Sequence, residues 1–237
     1  MTRDTFALGP ESFLPIDLEE VDREVFVTPF LTPEAAQRVL AEADRRAADA
    51  TPPRPGALHQ PSSMHDHGVT LESLGMKDLV DHLIEGAPAL RALLADRFRA
   101  FGGDALDGHY SYLVDYGRSG DEDLGFHVDD SEVTLNLCLG ETFSGSELVM
   151  LGRRCDQHRQ TPVQAGETVE ILHEPGALVV HAGRHRHRVD PIRTGRRRNL
   201  IAWLRSSSYR APSKSTAGAL GEGEGGAQGC PSWCGWG

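Results

Sequence analysis

Residues 124–140 read LGFHVDDSEVTLNLCLG, and they join a histidine and two aspartates to a run suited to the interior of a β-sheet. The run from residue 133 to residue 139 is rich in leucine and β-branched side chains, which favours a buried strand. Side chains alternate along a strand, so His127 and Asp129 are expected on one face and Val128 on the other. The stretch therefore predicts a strand end at which a histidine and an aspartate reach a common point.

Similar apolar runs of five to eight residues surround this stretch, and Gly, Pro and Asp turns separate them. They read HYSYLVDY, VTLNLCL, ELVML, TVEILH, GALVVHA and RNLIAWLR. Helices are predicted before them, in TPEAAQRVLAEADRRAADA and in GMKDLVDHLIEGAPALRALLADRFRAFGG, which is interrupted near EGAP. Helices followed by uninterrupted strands indicate an α+β, mainly β chain. We predict an antiparallel double-stranded β-helix (jelly roll) braced by N-terminal helices on one sheet.

The composition predicts one domain with two appendages. A chain of 237 residues with 39% hydrophobic content suits a single core, which we place in residues 25–210. Residues 1–24 are acidic and show no periodicity, so we expect a flexible lead there. Residues 211–237 form a Gly-rich tail that cannot bury a core. Residues 51–68, TPPRPGALHQPSSMHDHG, form a long loop, for which a lid over the site is favoured over a second metal site.

Charge and hydropathy exclude several classes of partner. The formal net charge of −11 repels phosphate backbones, so nucleic acid is not expected. No apolar run approaches the roughly 20 residues of a membrane helix, and MTRDTFALGPESFLP lacks a hydrophobic signal core. We therefore expect no membrane association and a cytoplasmic location. The sequence gives no indication of the oligomeric state.

The four cysteines are too few for a disulfide scaffold. Cys230 and Cys234, in CPSWC, could form half of a zinc site or a disulfide. A zinc site would need two more ligands from elsewhere in the chain. A flexible, unligated tail is therefore the prediction.

A third candidate metal ligand lies in GALVVHAGRHRHRVDPIRTGRRRNLIAWLR, which carries His181, His185 and His187. In a jelly roll, strands distant in sequence are neighbours, so a histidine here can meet His127 and Asp129. Two imidazoles and one carboxylate, with other positions open, are the ligands of non-haem Fe(II) oxygenases. The alternative is that HRHR is a solvated basic loop. We favour the Fe(II) site.

Four features, in this order, resemble the catalytic core of Fe(II)/2-oxoglutarate dioxygenases of the prolyl and lysyl hydroxylase type. They are Tyr116, LGFHVDDSEVTLNLCLG, FSGSELVMLG and HAGRHRHRVDPIRTGRRRNLIAWLRSS. The chain is most similar to the branch named 2-oxoglutarate and iron-dependent oxygenase domain-containing protein 2 and its bacterial relatives. The resemblance runs from about Val25 to Arg210. It implies an oxygenase that uses Fe(II), 2-oxoglutarate and O2 on an unactivated C–H bond of a small molecule or a protein or peptide side chain, releasing succinate and CO2. Hydroxylation is the favoured reaction, with desaturation and ring formation as the alternatives.

The resemblance also implies the residues that hold the iron. His127 and Asp129 match the HxD ligands of the family. His187 matches the distal histidine, because Pro191 follows at the family's spacing. These three residues are the candidate catalytic and metal-binding set. His181, His185 and the neighbouring aspartate at position 130 are expected to support the ligands rather than to bind the metal.

The same resemblance places the co-substrate contacts. A basic residue about ten positions after the distal histidine binds the far carboxylate of 2-oxoglutarate, which indicates Arg197, with Arg196 as its rival. Strand alternation leaves the choice open, because the neighbouring positions on both faces are apolar. Arginine suits this role because its planar guanidinium donates two hydrogen bonds to one carboxylate. Tyr116 is expected to hydrogen-bond the co-substrate, and Asn136 is a weaker candidate.

Two positions depart from the pattern of the family. Ser146 stands where relatives commonly have a second glycine, and Arg188 stands where they commonly have a glycine after the distal histidine. An arginine at that rim could alter substrate access or charge preference. The alternative to an enzyme is a cupin-type sensor that binds metal or a small acid without turnover. The arginine pair after His187 favours the enzyme, because a sensor has no reason to pair a ferrous site with a dicarboxylate anchor.

Overall fold

The structure is a computed structural model that describes residues 6–49, 68–117, 121–211 and 233–236. Four α-helices are present in these ranges: α1 (Pro33–Asp49), α2 (Leu79–Glu85), α3 (Pro88–Arg97) and α4 (Ser207–Arg210). Thr32 caps α1, since its hydroxyl accepts a hydrogen bond from the backbone N–H of Ala35 at 3.2 Å. None of the described helices combines the length and the apolar character that a membrane-spanning helix requires.

Strands dominate the described residues. Those before the HxD motif are β1 (Glu19–Asp22), β2 (Val25–Pro29), β3 (Gly68–Thr70) and β4 (Gly108–Gly117). The next ones are β5 (Leu124–His127), β6 (Val133–Gly140), β7 (Phe143–Gly145) and β8 (Leu148–Arg153). The last ones are β9 (Thr168–Ile171), β10 (Ala177–Ala182), β11 (His185–Val189) and β12 (Ile192–Arg205).

These strands form two antiparallel sheets. The larger sheet has the order β1-β2-β10-β6-β12-β4-β3, and β7 pairs with β12 beside it. The smaller sheet has the order β5-β11-β8-β9. Neighbours such as β2 and β10, β6 and β12, and β5 and β11 come from distant parts of the sequence, which is the connectivity of a jelly roll.

The two faces of the larger sheet have different partners. One face packs against α1, α2 and α3 through a core that includes Leu135, Leu137 and Leu200. The other face packs against the smaller sheet through a second cluster that includes Tyr112, Tyr116 and Ile201. The predicted double-stranded β-helix braced by helices on one sheet is therefore confirmed. The space between the two sheets is where the candidate site lies.

Two segments predicted to be flexible are ordered in part. Residues 19–22 form β1, which pairs with β2, because a strand at a sheet edge finds a ready row of hydrogen-bonding partners. Residues 233–236 also contact the domain, with Trp233 5.6 Å from Phe101 between ring centroids. Residues 19–22 and 233–236 thus contact the domain, and the flexibility of the two segments stays a prediction. Residues 51–67 of the predicted lid loop, and Cys230, lie outside the described residues, and the domain boundaries at 25 and 210 stay predictions.

Candidate metal and co-substrate site

The three predicted metal ligands meet at one end of the space between the sheets. His127 ends β5 and is the register partner of His187 on β11. Asp129 lies just beyond β5, where its backbone N–H donates to the carbonyl of Gly183 at 3.0 Å. The aspartate is therefore placed by a contact with the turn between β10 and β11, not by the strand alternation that the sequence suggested.

Donor atoms of this triad converge. The Nε2 atom of His127 is 3.5 Å from Oδ1 of Asp129, and Nε2 of His187 is 3.8 Å from the same oxygen. All three ligand atoms lie within 4.8 Å of one another. Two imidazole nitrogens and one carboxylate oxygen are a donor set that fits Fe(II) and leaves other coordination positions open.

Hydrogen bonds fix which nitrogen of each histidine faces the metal. Nδ1 of His127 lies 2.8 Å from the carbonyl oxygen of Gly125, and Nδ1 of His187 lies 3.0 Å from that of His185. A carbonyl only accepts, so each Nδ1 carries the proton and donates it. Each Nε2 then presents a lone pair toward Asp129, which is the tautomer that a metal ligand requires.

Asp129 is almost fully buried, and its two oxygens have different partners. The hydroxyl of Thr134 donates to Oδ2 at 2.6 Å, which leaves Oδ1 facing the two histidines. The Ser131 hydroxyl lies 2.8 Å from that of Thr134 and extends this support. The carboxylate is thus oriented before any metal binds.

Burial sets the protonation of the triad. It lowers the pKa of His127 and of His187 to about 4, with the nearby aspartate opposing the shift. Burial by itself would raise the pKa of Asp129, but the neighbouring histidines and the Thr134 hydroxyl lower it below its ordinary value. At neutral pH the site therefore holds two neutral imidazoles and one carboxylate, the forms in which these side chains bind a divalent cation.

The supporting residues take different places. His181 is fully buried, with Nε2 3.9 Å from Oδ2 of Asp129, so it lies beside the triad. His185 points away and pairs through Nε2 with Asp22 at 3.1 Å. Asp130 also faces away from the triad and forms ion pairs with two arginines, at positions 205 and 210.

Arg197 and Arg196 have different surroundings. Arg197 is fully buried on the face of β12 that carries Ile201, the face that packs against the smaller sheet. No carboxylate of the described residues lies within 4 Å of its guanidinium nitrogens. Arg196 instead forms ion pairs with Asp115 and Glu141 and is partly exposed. The geometry favours Arg197 over Arg196 as the anchor for 2-oxoglutarate. A buried positive charge is costly without a negative partner, and a carboxylate of the ligand can supply that partner.

Neutral acceptors hold the Arg197 side chain in place. It donates through Nε to Asn199 at 3.1 Å, through one terminal nitrogen to the carbonyl and hydroxyl oxygens of Ser146, and through the other to Nδ1 of His173 at 3.0 Å. Because Nδ1 accepts, His173 is neutral, and its Nε2–H donates to the carbonyl of Ala177 at 3.0 Å. Burial and the charge of Arg197 lower the pKa of His173 to about 3.

These neighbours of Arg197 are absent from the residues predicted from sequence. Alternation along β9 offers a signal for His173, since Val169 and Ile171 face the inter-sheet cluster and the histidine is the next residue in that series. Ser146, where the resemblance implies a glycine, has a φ of 59°, a left-handed backbone conformation that favours glycine. Its hydroxyl, 3.1 Å from Arg197, gives the departure a structural role.

Tyr116 and Asn136 also lie in the candidate site. Tyr116 is the register partner of Arg197 across β4 and β12, and the guanidinium carbon lies 5.5 Å from the centre of its ring. Burial raises the pKa of Tyr116 above its ordinary value, so it stays a neutral donor. Asn136 accepts a hydrogen bond from Asn199 at 2.5 Å. Both line a pocket that also contains the triad.

Comparisons with known proteins agree with this site, although no protein-family model matches the chain. The chain is 42% identical over 202 residues to the 2-oxoglutarate and iron-dependent oxygenase domain-containing protein CP2 of Arabidopsis thaliana, a match that covers 84% of this chain and 50% of that protein. It is 34% identical over 196 residues to the mouse (Mus musculus) 2-oxoglutarate and iron-dependent oxygenase domain-containing protein 2, covering 81% and 53%. The chain spans about half the length of the curated relatives it matches.

Two solved structures show the same fold. EvdO2 from Micromonospora carbonacea var. aurantiaca, complexed with 2-oxoglutarate, matches with a TM-score of 0.56 and 17% identity over 83% of this chain and 94% of that one. A prolyl hydroxylase from Trichoplax adhaerens, in complex with a hypoxia inducible factor peptide fragment, matches with a TM-score of 0.53 and 13% identity over 81% and 87%.

Fold, donor set and relatives together place the chain among the 2-oxoglutarate and iron-dependent oxygenases. Its curated homologues are the 2-oxoglutarate and iron-dependent oxygenase domain-containing proteins, which confirms the resemblance seen in the sequence.

Proposed function

We propose that this protein is a hydroxylase in which His127, Asp129 and His187 hold Fe(II) and Arg197 binds the far carboxylate of 2-oxoglutarate. The observation that carries the proposal is that two features occur together in the space between the sheets. Three donor atoms converge in it, and the buried guanidinium of Arg197 lies beside Tyr116, which lines the same pocket as the triad. A metal-binding sensor has no need for the second feature, so the enzyme is favoured over the sensor.

Iron and 2-oxoglutarate, when bound, would supply the oxidation of an unactivated C–H bond by O2, with release of succinate and CO2. The residues of the chain do the positioning. Thr134 fixes the Asp129 carboxylate, backbone carbonyls fix both imidazoles, and Ser146 and His173 fix Arg197. The apolar walls around them exclude water from the site.

We propose two classes of substrate, a peptide side chain or a small molecule. Support for a peptide comes from the prolyl hydroxylase with a similar fold, which was solved with a peptide fragment. Arg188 lies next to His187 and pairs with Asp190, with Nε 2.6 Å from Oδ1. This pair gives the rim next to the metal ligand a polar, charge-balanced character.

A cytoplasmic location, without nucleic acid or membrane as partner, is also part of the proposal. The support is the net charge of −11, which disfavours anionic polymers and anionic lipid surfaces. Cell fractionation with a tagged full-length chain tests the location, and recovery in the membrane fraction contradicts it.

The first experiment is anaerobic addition of Fe(II) and 2-oxoglutarate to the purified full-length protein. The wild type should show the visible absorption band of Fe(II) chelated by a 2-oxo acid. Asp129→Ala should lose both iron and the band. Arg197→Ala should bind iron and lose the band at the same concentration of 2-oxoglutarate.

Arg196→Ala is the matched control, because this arginine is paired with Asp115 and Glu141. It should keep the band. Absence of the band in fully iron-loaded wild type would overturn the oxygenase proposal, and loss of the band in Arg196→Ala alone would transfer the anchor to Arg196. Succinate release in air, measured with peptide and small-molecule panels, separates an enzyme from a sensor that binds the same ligands.

A further inference from the structure

A second cluster of metal-binding side chains lies apart from the iron triad. Cys155 precedes the short 3-10 turn Asp156–His158 that follows β8, His158 ends this turn, and Cys234 approaches them from the C-terminal segment. Their ligand atoms lie within 4.8 Å of one another. None of these three residues takes part in the site described above.

The distances within this cluster suit a tetrahedral zinc ion. Zinc binds sulfur at about 2.3 Å and imidazole nitrogen at about 2.0–2.1 Å, so tetrahedral ligands place sulfur and nitrogen about 3.5 Å apart. Nδ1 of His158 is 3.3 Å from Sγ of Cys155 and 3.6 Å from Sγ of Cys234. One sulfur–nitrogen distance is slightly shorter and the other slightly longer than the distance expected for two ligands of one zinc ion.

The surroundings are those of a built site. Both cysteines are buried, each with 6% of its surface exposed. The backbone N–H of Cys155 donates to Sγ of Cys234 at 3.4 Å, a contact that stabilises a thiolate. The backbone N–H of Gly235 donates to the carbonyl of Arg153 at 3.0 Å, which holds the C-terminal segment against the end of β8.

We propose that Cys155, His158 and Cys234 bind a structural zinc ion that fastens the C-terminal segment to the turn after β8. Zinc is the metal of choice because thiolate and imidazole together select it over the hard cations that prefer oxygen. Binding displaces the two thiol protons, which pass to the solvent. The fourth position of the tetrahedron is left to a ligand other than these three side chains.

The zinc has a structural consequence for a segment with little secondary structure of its own. Residues 233–236 contain no helix or strand. Trp233, which immediately precedes Cys234, contacts Phe101. A metal at Cys234 therefore adds a strong link between this segment and the turn after β8. Metal binding of this kind contributes directly to the stability of the segment it joins.

Cobalt substitution in the full-length chain tests the proposal separately from the iron site. Anaerobic metal-free protein is loaded with Co(II), and the near-ultraviolet thiolate-to-cobalt band is recorded. The iron triad contains no sulfur and cannot give this band. Wild type and Asp129→Ala should both show it, whereas Cys155→Ser and Cys234→Ser should lose it.

Cys138→Ala is the matched control, because this buried cysteine lies in β6, outside the cluster. It should keep the thiolate-to-cobalt band. Metal analysis of the protein as isolated should show one zinc in the wild type and in Asp129→Ala, and loss of that zinc in Cys234→Ser. Iron binding by Cys234→Ser, seen by the band with 2-oxoglutarate, shows that the variant is folded.

Three results would overturn the proposal. The first is a wild type without the thiolate-to-cobalt band, and the second is a band that persists in both serine variants. The third is a disulfide between Cys155 and Cys234, found by peptide mapping of protein isolated anaerobically with reductant. A zinc-loaded wild type whose thiols become reactive only after chelation supports the proposal without any substitution that risks misfolding.

Discussion

At the scale of single residues, the orientation of the Asp129 carboxylate depends on the hydroxyl of Thr134. Thr134→Val keeps the shape of the side chain and removes the donor to Oδ2, which is 2.6 Å away. Supporting contacts of this kind change metal affinity by about 10- to 100-fold when they are lost. We expect Fe(II) affinity, measured by chelator competition, to fall within that range.

Thr28→Val is the control for Thr134→Val, because Thr28 is another buried threonine of the larger sheet and has hydrogen bonds to Asp17 and Pro29. It should lower the free energy of unfolding without changing Fe(II) affinity. Equal affinities in the Thr134 variant and the wild type would show that the hydroxyl does not orient the ligand.

His173 is expected to position the anchor for 2-oxoglutarate. His173→Leu removes the acceptor for Arg197 and Asn199 and leaves two buried donors unpaired, at a cost of about 1–3 kcal/mol each. We expect urea unfolding to show this loss and the affinity for 2-oxoglutarate to fall, with Fe(II) affinity retained. His173→Gln restores an acceptor and should recover part of both, whereas unchanged 2-oxoglutarate binding in His173→Leu would contradict the positioning role.

At the scale of elements, the turn between β10 and β11 sets where Asp129 lies. A Cβ at Gly183 would overlap the carbonyl and the hydroxyl of Ser131, in the loop that carries the aspartate. Gly183→Ala should therefore displace this loop. We expect a lower melting temperature and weaker Fe(II) binding, measured by thermal denaturation and chelator competition.

Gly108→Ala is the matched control for Gly183→Ala, since a Cβ at Gly108 meets no atom within 4 Å. It should change the free energy of unfolding by no more than about 0.5 kcal/mol. Normal Fe(II) binding by the Gly183 variant would mean that the turn does not control the ligand.

At the scale of the whole molecule, buried histidines make the metal-free fold sensitive to mild acid. The pKa is about 4 for His127, about 3 for His173 and about 4 for His187, all lowered chiefly by burial, against an ordinary value near 6.5. Below pH 6.5 the unfolded chain therefore binds protons that the folded chain does not. The free energy of unfolding should therefore decrease as the pH is lowered below 6.5, by up to about 1.4 kcal/mol for each histidine and each pH unit.

Urea unfolding of the metal-free protein at pH 7, 6 and 5 measures this effect. The loss should continue until the pH reaches the folded-state pKa values near 4 and 3. His173→Gln should show a shallower dependence, because one of the three groups is gone. An unfolding free energy that stays constant between pH 6.5 and 5 would contradict the burial of these imidazoles in solution.

Local pattern in the sequence was sufficient for the class of fold and for most of the candidate site. Period-two alternation and turn residues mark the strands, since these signals depend only on neighbouring positions. The HxD motif, the distal histidine and the arginine pair are likewise visible as spacing. They gave the resemblance to the oxygenases that the relatives confirm.

Tertiary structure decided the features that depend on which faces of the strands pack against each other. Alternation could not separate Arg197 from Arg196, because both faces of β12 are apolar, and only the packing shows which one borders the smaller sheet. Cys234 meets Cys155 across 79 residues, a contact that no local pattern encodes. The sequence determined the strands and the chemistry they carry, and the packing of the sheets determined which side chains share a space, because burial and charge depend on neighbours far apart in the chain.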